Sequence, residues 1–215
     1  ISNNYNIFLG GPDVQTENTL TFGNGTDPAE IIIRDVTTNW KGLGLRPSIN
    51  AVVNGILTID LGAMDYHFGL SLQGVFIGDG TINVTSTGGA RLNAEMDDGY
   101  ADGAPFTGTI NMNGSTLRLS HPHPFPNATV NMNAGSMVWM NESCAQNLVM
   151  NGGSFARNGN AISGNIFLTQ DMKVDLYPAN TMSFSGDVGG NGRVFLTDAD
   201  NTVEFTGSLS PGGSI

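Results

Sequence analysis

Two short runs carry side chains that do chemistry when clustered. Asp97-Asp98-Gly99-Tyr100-Ala101-Asp102-Gly103 brings three carboxylates together with two glycines. Calcium takes about six to eight oxygens, and glycine lets backbone carbonyls join the carboxylates. Asp97, Asp98 and Asp102 are therefore the candidate metal ligands, with calcium the candidate ion. Their spacing matches neither an EF-hand loop nor the nonapeptide calcium repeat, which favours a solvated acidic loop. The second run is His121-Pro122-His123-Pro124-Phe125-Pro126. Histidines at i and i+2 of an extended segment point the same way. No further His, Cys, Asp or Glu lies within ten residues to complete a metal site, so a stiff proline-rich turn is the favoured reading. His67, alone between Tyr66 and Phe68, reads as half-buried.

Catalytic patterns are sparse. Polysaccharide cleavage by paired acids needs two carboxylates on one face, about 5 Å apart for retention and further for inversion. Asp60, Asp65 and Asp175 do not fall into register, and only 8 Lys and Arg are present to stabilise developing negative charge. No Gly-x-Ser-x-Gly, P-loop or dinucleotide fingerprint occurs, so neither catalytic residues nor an organic cofactor are expected. Trp40, Trp139, Tyr100 and Tyr177 are candidates for stacking on sugar rings, although a lone Trp in a strand is more often packed. Asn-x-Ser/Thr sequons at Asn24, Asn83, Asn113, Asn127 and Asn141 are no more than this composition produces by chance.

The elements that would position these residues are written as a repeat. Thr109-Ile-Asn-Met-Asn-Gly-Ser115 recurs as Thr129-Val-Asn-Met-Asn-Ala-Gly-Ser136, as Asn147-Leu-Val-Met-Asn-Gly-Gly-Ser154 and, more loosely, from Asn165. Ile110, Val130, Leu148 and Ile166 align at spacings of 20, 18 and 18, and Met112, Met132, Met150 and Leu168 follow at the same intervals. A strand, a turn and a second strand in each unit predict an all-β fold, a parallel right-handed β-helix (β-solenoid) with coils of about 18–20 residues. Stacking would put Ile and Met inward and Asn and Gly at the corner. Asn111 with Asn131, and Asn113 with Asn133 and Asn151, would meet as amide ladders. An antiparallel sandwich gives no reason for Asn-Met-Asn to recur at one place in every unit.

Composition agrees. Charged residues are 13%, glycines number 30, and Lys occurs only at Lys41 and Lys173, which favours strands and turns over helices. Net charge of −11 excludes nucleic acid and anionic membrane surfaces as partners. Cys144 is the single cysteine, so no intrachain disulfide forms. No segment reads as a transmembrane span.

The whole of 1–215 reads as one solenoid domain, less regular over 1–93, interrupted by an inserted loop at 94–105 and regular over 106–215. Ile31 to Ile33 predict a strand buried on both faces, and Trp40 to Pro47, with Gly42 and Gly44, predicts irregular chain. The opening at Ile1 points to a processed N-terminus, and the uncapped Gly-Gly-Ser-Ile end is expected of a region within a longer chain.

The run Thr206-Gly-Ser-Leu-Ser-Pro-Gly-Gly-Ser-Ile215 resembles the Gly-x-Leu-Ser-Pro-Gly-x-Ser segment of β-helical passenger repeats in autotransporter-type bacterial surface proteins. The resemblance implies secretion, a right-handed β-helix, and adhesion or self-association as its work. It supplies no catalytic residues. The expectation is a secreted or cell-surface, non-enzymatic structural or adhesive solenoid. It would associate through its ends into a fibre, take a glycan or protein ligand, and not be integral to the membrane. A carbohydrate-active β-helix, whether lyase, hydrolase or binding module, and a phage fibre are the alternatives.

Overall fold

The computed structural model describes residues 7–9, 18–23, 26–32, 42–45, 49–65, 67–94, 106–122, 124–177 and 180–210. Among these there is no helix, and every ladder between named strands is parallel. The first three turns of the chain contribute three strands each. They are β1 (Ile7–Leu9), β2 (Asn18–Phe22) and β3 (Ala29–Ile32); β4 (Gly42–Leu45), β5 (Ile49–Val53) and β6 (Ile56–Asp60); and β7 (Gly69–Leu72), β8 (Val75–Ile77) and β9 (Thr81–Thr85). Three turns of two strands follow: β10 (Arg91–Ala94) and β11 (Thr109–Asn113), β12 (Thr116–Leu119) and β13 (Thr129–Asn133), β14 (Met137–Met140) and β15 (Leu148–Asn151). The last turns are β16 (Ser154–Arg157), β17 (Ala161–Ile162) and β18 (Ile166–Leu168); β19 (Met172–Leu176), β20 (Thr181–Phe184) and β21 (Val188–Gly190); and β22 (Val194–Leu196) with β23 (Thr202–Phe205).

Strands one turn apart pair. β1, β4, β7, β10, β12, β14, β16, β19 and β22 make a nine-stranded sheet, and β3, β6, β9, β11, β13, β15, β18 and β21 an eight-stranded one. The third side holds β2-β5-β8 at one end and β17-β20-β23 at the other. This is a β-solenoid, and its register is the one the repeat predicts. Met112 pairs with Met132, Met132 with Met150 and Met150 with Leu168, while Ile110 pairs with Val130 and Leu148 with Ile166. The same columns run upstream through Ile82 and Val84 to Leu57 and Ile59. All of these side chains are buried. Each in-register neighbour presents an aliphatic side chain of similar size about 4.8 Å away, so apolar residues recur down each column.

Coil length is less uniform than the repeat. Register steps of 20 and 18 residues hold over β11 to β18, but Ile82 pairs with Ile110 at a step of 28 and Ile166 with Val188 at 22. The ladder fixes only which residues pair, so the number of residues between successive strands is free to vary. Three further expectations are corrected. Ile31 is half-buried and Ile32 is 52% exposed, because a solenoid strand has core on one face only. Gly42–Leu45, expected as irregular chain, is β4, ladder-paired with both β1 and β7, and two partners offset the entropy glycine loses in a strand. The repeat asparagines occupy the outer face of the strands, and only the glycines turn the corner, with φ of 64° at Gly114 and 87° at Gly152. The loop 94–105 lies outside the described residues save for Ala94, the buried end of β10.

Aromatic rings pack in the core along the third side. Phe76 stands 6.1 Å from Phe106 and 6.4 Å from Phe125, and Phe184 packs between Phe155 at 5.5 Å and Phe205 at 5.3 Å. Where the turns lack a third strand, Gln146 stands in for backbone. Its Oε1 accepts the Phe125 N–H at 3.0 Å, and its Nε2 donates to the Phe125 carbonyl at 3.1 Å and the Asn147 carbonyl at 2.9 Å. Fully buried, it is fully satisfied.

Candidate functional site

Asp97, Asp98 and Asp102, the candidate calcium ligands, lie outside the described residues, as do Trp40, Tyr100 and His123. Among the described residues no three His, Cys, Asp or Glu side chains gather closely enough to hold a metal ion. His121 is buried, and His67 Nδ1 lies 3.1 Å from Asp65 Oδ1 in a corner. Asp60 ends β6 on the eight-stranded sheet, with Oδ1 accepting from the Gly62 N–H at 2.9 Å. Asp175 stands on the nine-stranded sheet, its Oδ1 accepting from the Thr197 hydroxyl at 3.0 Å. The three carboxylates therefore do not share a face.

Cys144 lines a shallow hollow with Pro122, Ser143, Ala145, Ala161 and Ser163. Burial pushes its thiol up to about 11, only partly opposed by the Gln146 backbone, so it is protonated and a poor nucleophile at neutral pH. Asp171 and Arg193 form a two-pronged exposed pair, Nη2 to Oδ2 at 2.8 Å and Nε to Oδ1 at 3.3 Å. The hydrogen bonds from Arg193 hold the Asp171 carboxyl below its ordinary range.

On the outer face of the nine-stranded sheet Arg118 lies over the Trp139 ring at 4.8 Å, and Trp139 is buried. Arg91, Asn93 and Thr116, on the same face of neighbouring strands, are buried too, so this face is covered there. Trp139 is no open platform. Tyr177 is half exposed, near the end of β19.

The outer face of the eight-stranded sheet is different. From β9 to β18 its two amide columns are uncharged, with Asp60 of β6 upstream in one of them. Asn131 Nδ2 donates to Asn111 Oδ1 at 2.8 Å, and Asn111 Nδ2 to Asn83 Oδ1 at 2.9 Å. In the next column Asn133 donates to Asn113 at 2.8 Å and Asn151 to Asn133 at 2.9 Å, while the Thr169 hydroxyl closes on Asn151 Oδ1. The ladders expected at these asparagines are present, and they fix the amide rotamers.

Toward β18 the array changes. Phe167 pairs in register with Val149 and Gly189 and is 54% exposed. Beside it runs a third column. Asn147 Oδ1 accepts the Asn165 N–H at 2.7 Å, Asn165 Oδ1 the Asp187 N–H at 3.0 Å, and Asp187 Oδ1 the Ser208 N–H at 3.3 Å. In the sequence Phe167 is hidden, because Ile166-Phe-Leu168 reads as a core run. The usable signal was alignment: Phe167 occupies the position held by Asn111 and Asn131 in earlier copies, and that position faces outward. Compared with models of known families, with curated proteins and with solved structures, the chain matches none.

Proposed function

We propose that the chain is a secreted or cell-surface structural module, non-enzymatic, whose solenoid lengthens by end-to-end stacking and presents its lateral faces to ligands. The observation that carries this reading is the last described turn. Leu196 and Leu209 hold inward positions, in register with the buried Val174 and Val188, yet they are 43% and 47% exposed. Val203 and Phe205 continue the columns of Met182 and Phe184 and are only partly buried. The core pattern thus reaches the end of the stack with apolar side chains and strand edges still able to accept another parallel coil. Burying a leucine fully contributes about 1.5–3 kcal/mol, so two or three such positions favour occupation of that face by a further parallel coil. Acidic charge and the short autotransporter-like run support the extracellular side of the reading.

The test is light scattering with negative-stain microscopy across a concentration series. Wild-type chain is expected to form rods one solenoid wide whose length grows with concentration. Leu196→Glu, which leaves a charge facing an apolar column, is expected to remain monomeric with unchanged circular dichroism. A wild type that stays monomeric throughout sinks the reading.

A further inference from the structure

We infer that Phe167 and the polar column beside it form a binding site for a neutral pyranose glycan on the outer face of the eight-stranded sheet. This deepens the surface-presentation reading by giving it a ligand class, and is independent of stacking at the ends.

The chemistry is complementary in three respects. A sugar ring offers an apolar C–H face rimmed by hydroxyls, and an exposed aromatic side chain offers matching apolar area. Phe167, at 54% exposure on the outer face beside the amide columns, supplies it. Its register neighbours, Val149 and Gly189, are small, so the ring stands above them.

Each hydroxyl both donates and accepts. Asn147 and Asn165 have their Oδ1 atoms held by backbone N–H groups at 2.7 and 3.0 Å, which directs each Nδ2 away from the backbone. Among the described residues neither Nδ2 has a partner. Asp187 has one oxygen engaged at 3.3 Å, leaving Oδ2 as an acceptor. Donors and an acceptor therefore stand in one column about 4.8 Å apart, two residues along the strand (about 6.7 Å) from the ring. Because backbone bonds already hold these side chains, little rotamer freedom is lost on binding.

Charge selects the sugar. Among the described residues no Lys or Arg stands on the outer face of this sheet, and the molecule carries −11. A uronate or sulfated chain would meet Asp187 with no compensating cation, whereas a neutral one meets only dipoles.

Affinity electrophoresis at pH 7 tests this, with laminarin, hydroxyethylcellulose, galactomannan and polygalacturonate cast separately into the gel. At least one neutral polymer is expected to retard the chain, and polygalacturonate is not. Phe167→Ala is expected to weaken that retardation about tenfold, the range of one aromatic contact, and Phe167→Trp to preserve it. Asn165→Ala should weaken it as well, with thermal midpoints confirming folded variants. No retardation by any neutral polymer, equal retardation by polygalacturonate, or retardation indifferent to Phe167→Ala overturns the inference. So does a Phe167→Ala variant that stops self-association in polymer-free gels, which would make this face an interface between copies.

Discussion

At the scale of single residues, the amides and the thiol have measurable consequences. Asn133 sits mid-ladder, donating to Asn113 and accepting from Asn151, whereas Asn131 makes one ladder bond as donor to Asn111. A net hydrogen bond contributes about 1 kcal/mol, so Asn133→Ala should cost about 2 kcal/mol in urea unfolding and Asn131→Ala about half that. Equal losses would mean that the ladder acts only through its termini. Cys144 gives a pH signature. Burial favours its neutral form and raises its folded pKa from 9.0 to about 11, so the unfolded chain releases this proton first. The stability from this group is intact below about pH 9 and falls by about 2–3 kcal/mol as pH climbs to about 11. The difference between wild type and Cys144→Ser, measured by urea titration at several alkaline pH values, should follow that slope. A flat difference would place the thiol in a wetter setting than the fold gives it.

Among the elements, irregular turns are held by side chains and regular ones by register. Gln146 replaces a missing strand partner for Phe125, so Gln146→Ala removes three hydrogen bonds and leaves the buried Phe125 N–H unpaired, its carbonyl keeping only the Ala128 N–H. The expected cost is about 3 kcal/mol, read as a lowered unfolding midpoint, and larger than that of any exposed ladder amide. These elements were unequally visible in the amino-acid sequence. The columns through Met112, Met132 and Met150 were legible because in-register stacking rewards one residue type at one position, which writes a repeat. β4 was not legible, since Gly42-Leu-Gly-Leu45 has weak strand propensity and owes its conformation to ladders with residues 27 and 36 positions away. The candidate glycan site was hidden for a related reason. Phe167 differs from a core phenylalanine only in the parity of its strand position, which becomes certain once its partners are known. The carboxylates of 97–102 were the loudest local signal, yet local composition says nothing about what gathers in space.

For the whole molecule, parallel stacking makes the two ends unlike. An assembly that joins one end to the other is heterologous and open, so it grows as a line rather than closing into a symmetric pair. The amide ladders add an electrical counterpart. Asn111 and Asn131 in one column and Asn133 and Asn151 in the other each donate to the Asn of the preceding turn, so these four side-chain dipoles point one way along the axis and reinforce one another. Their positive ends face the early turns, where Asp60 stands two strands before Asn113 in the same column, and their negative end receives the Thr169 hydroxyl. A row of such modules joined end to end would carry a permanent polarisation along its length. Rods of this chain should accordingly align in an electric field with a fixed sense.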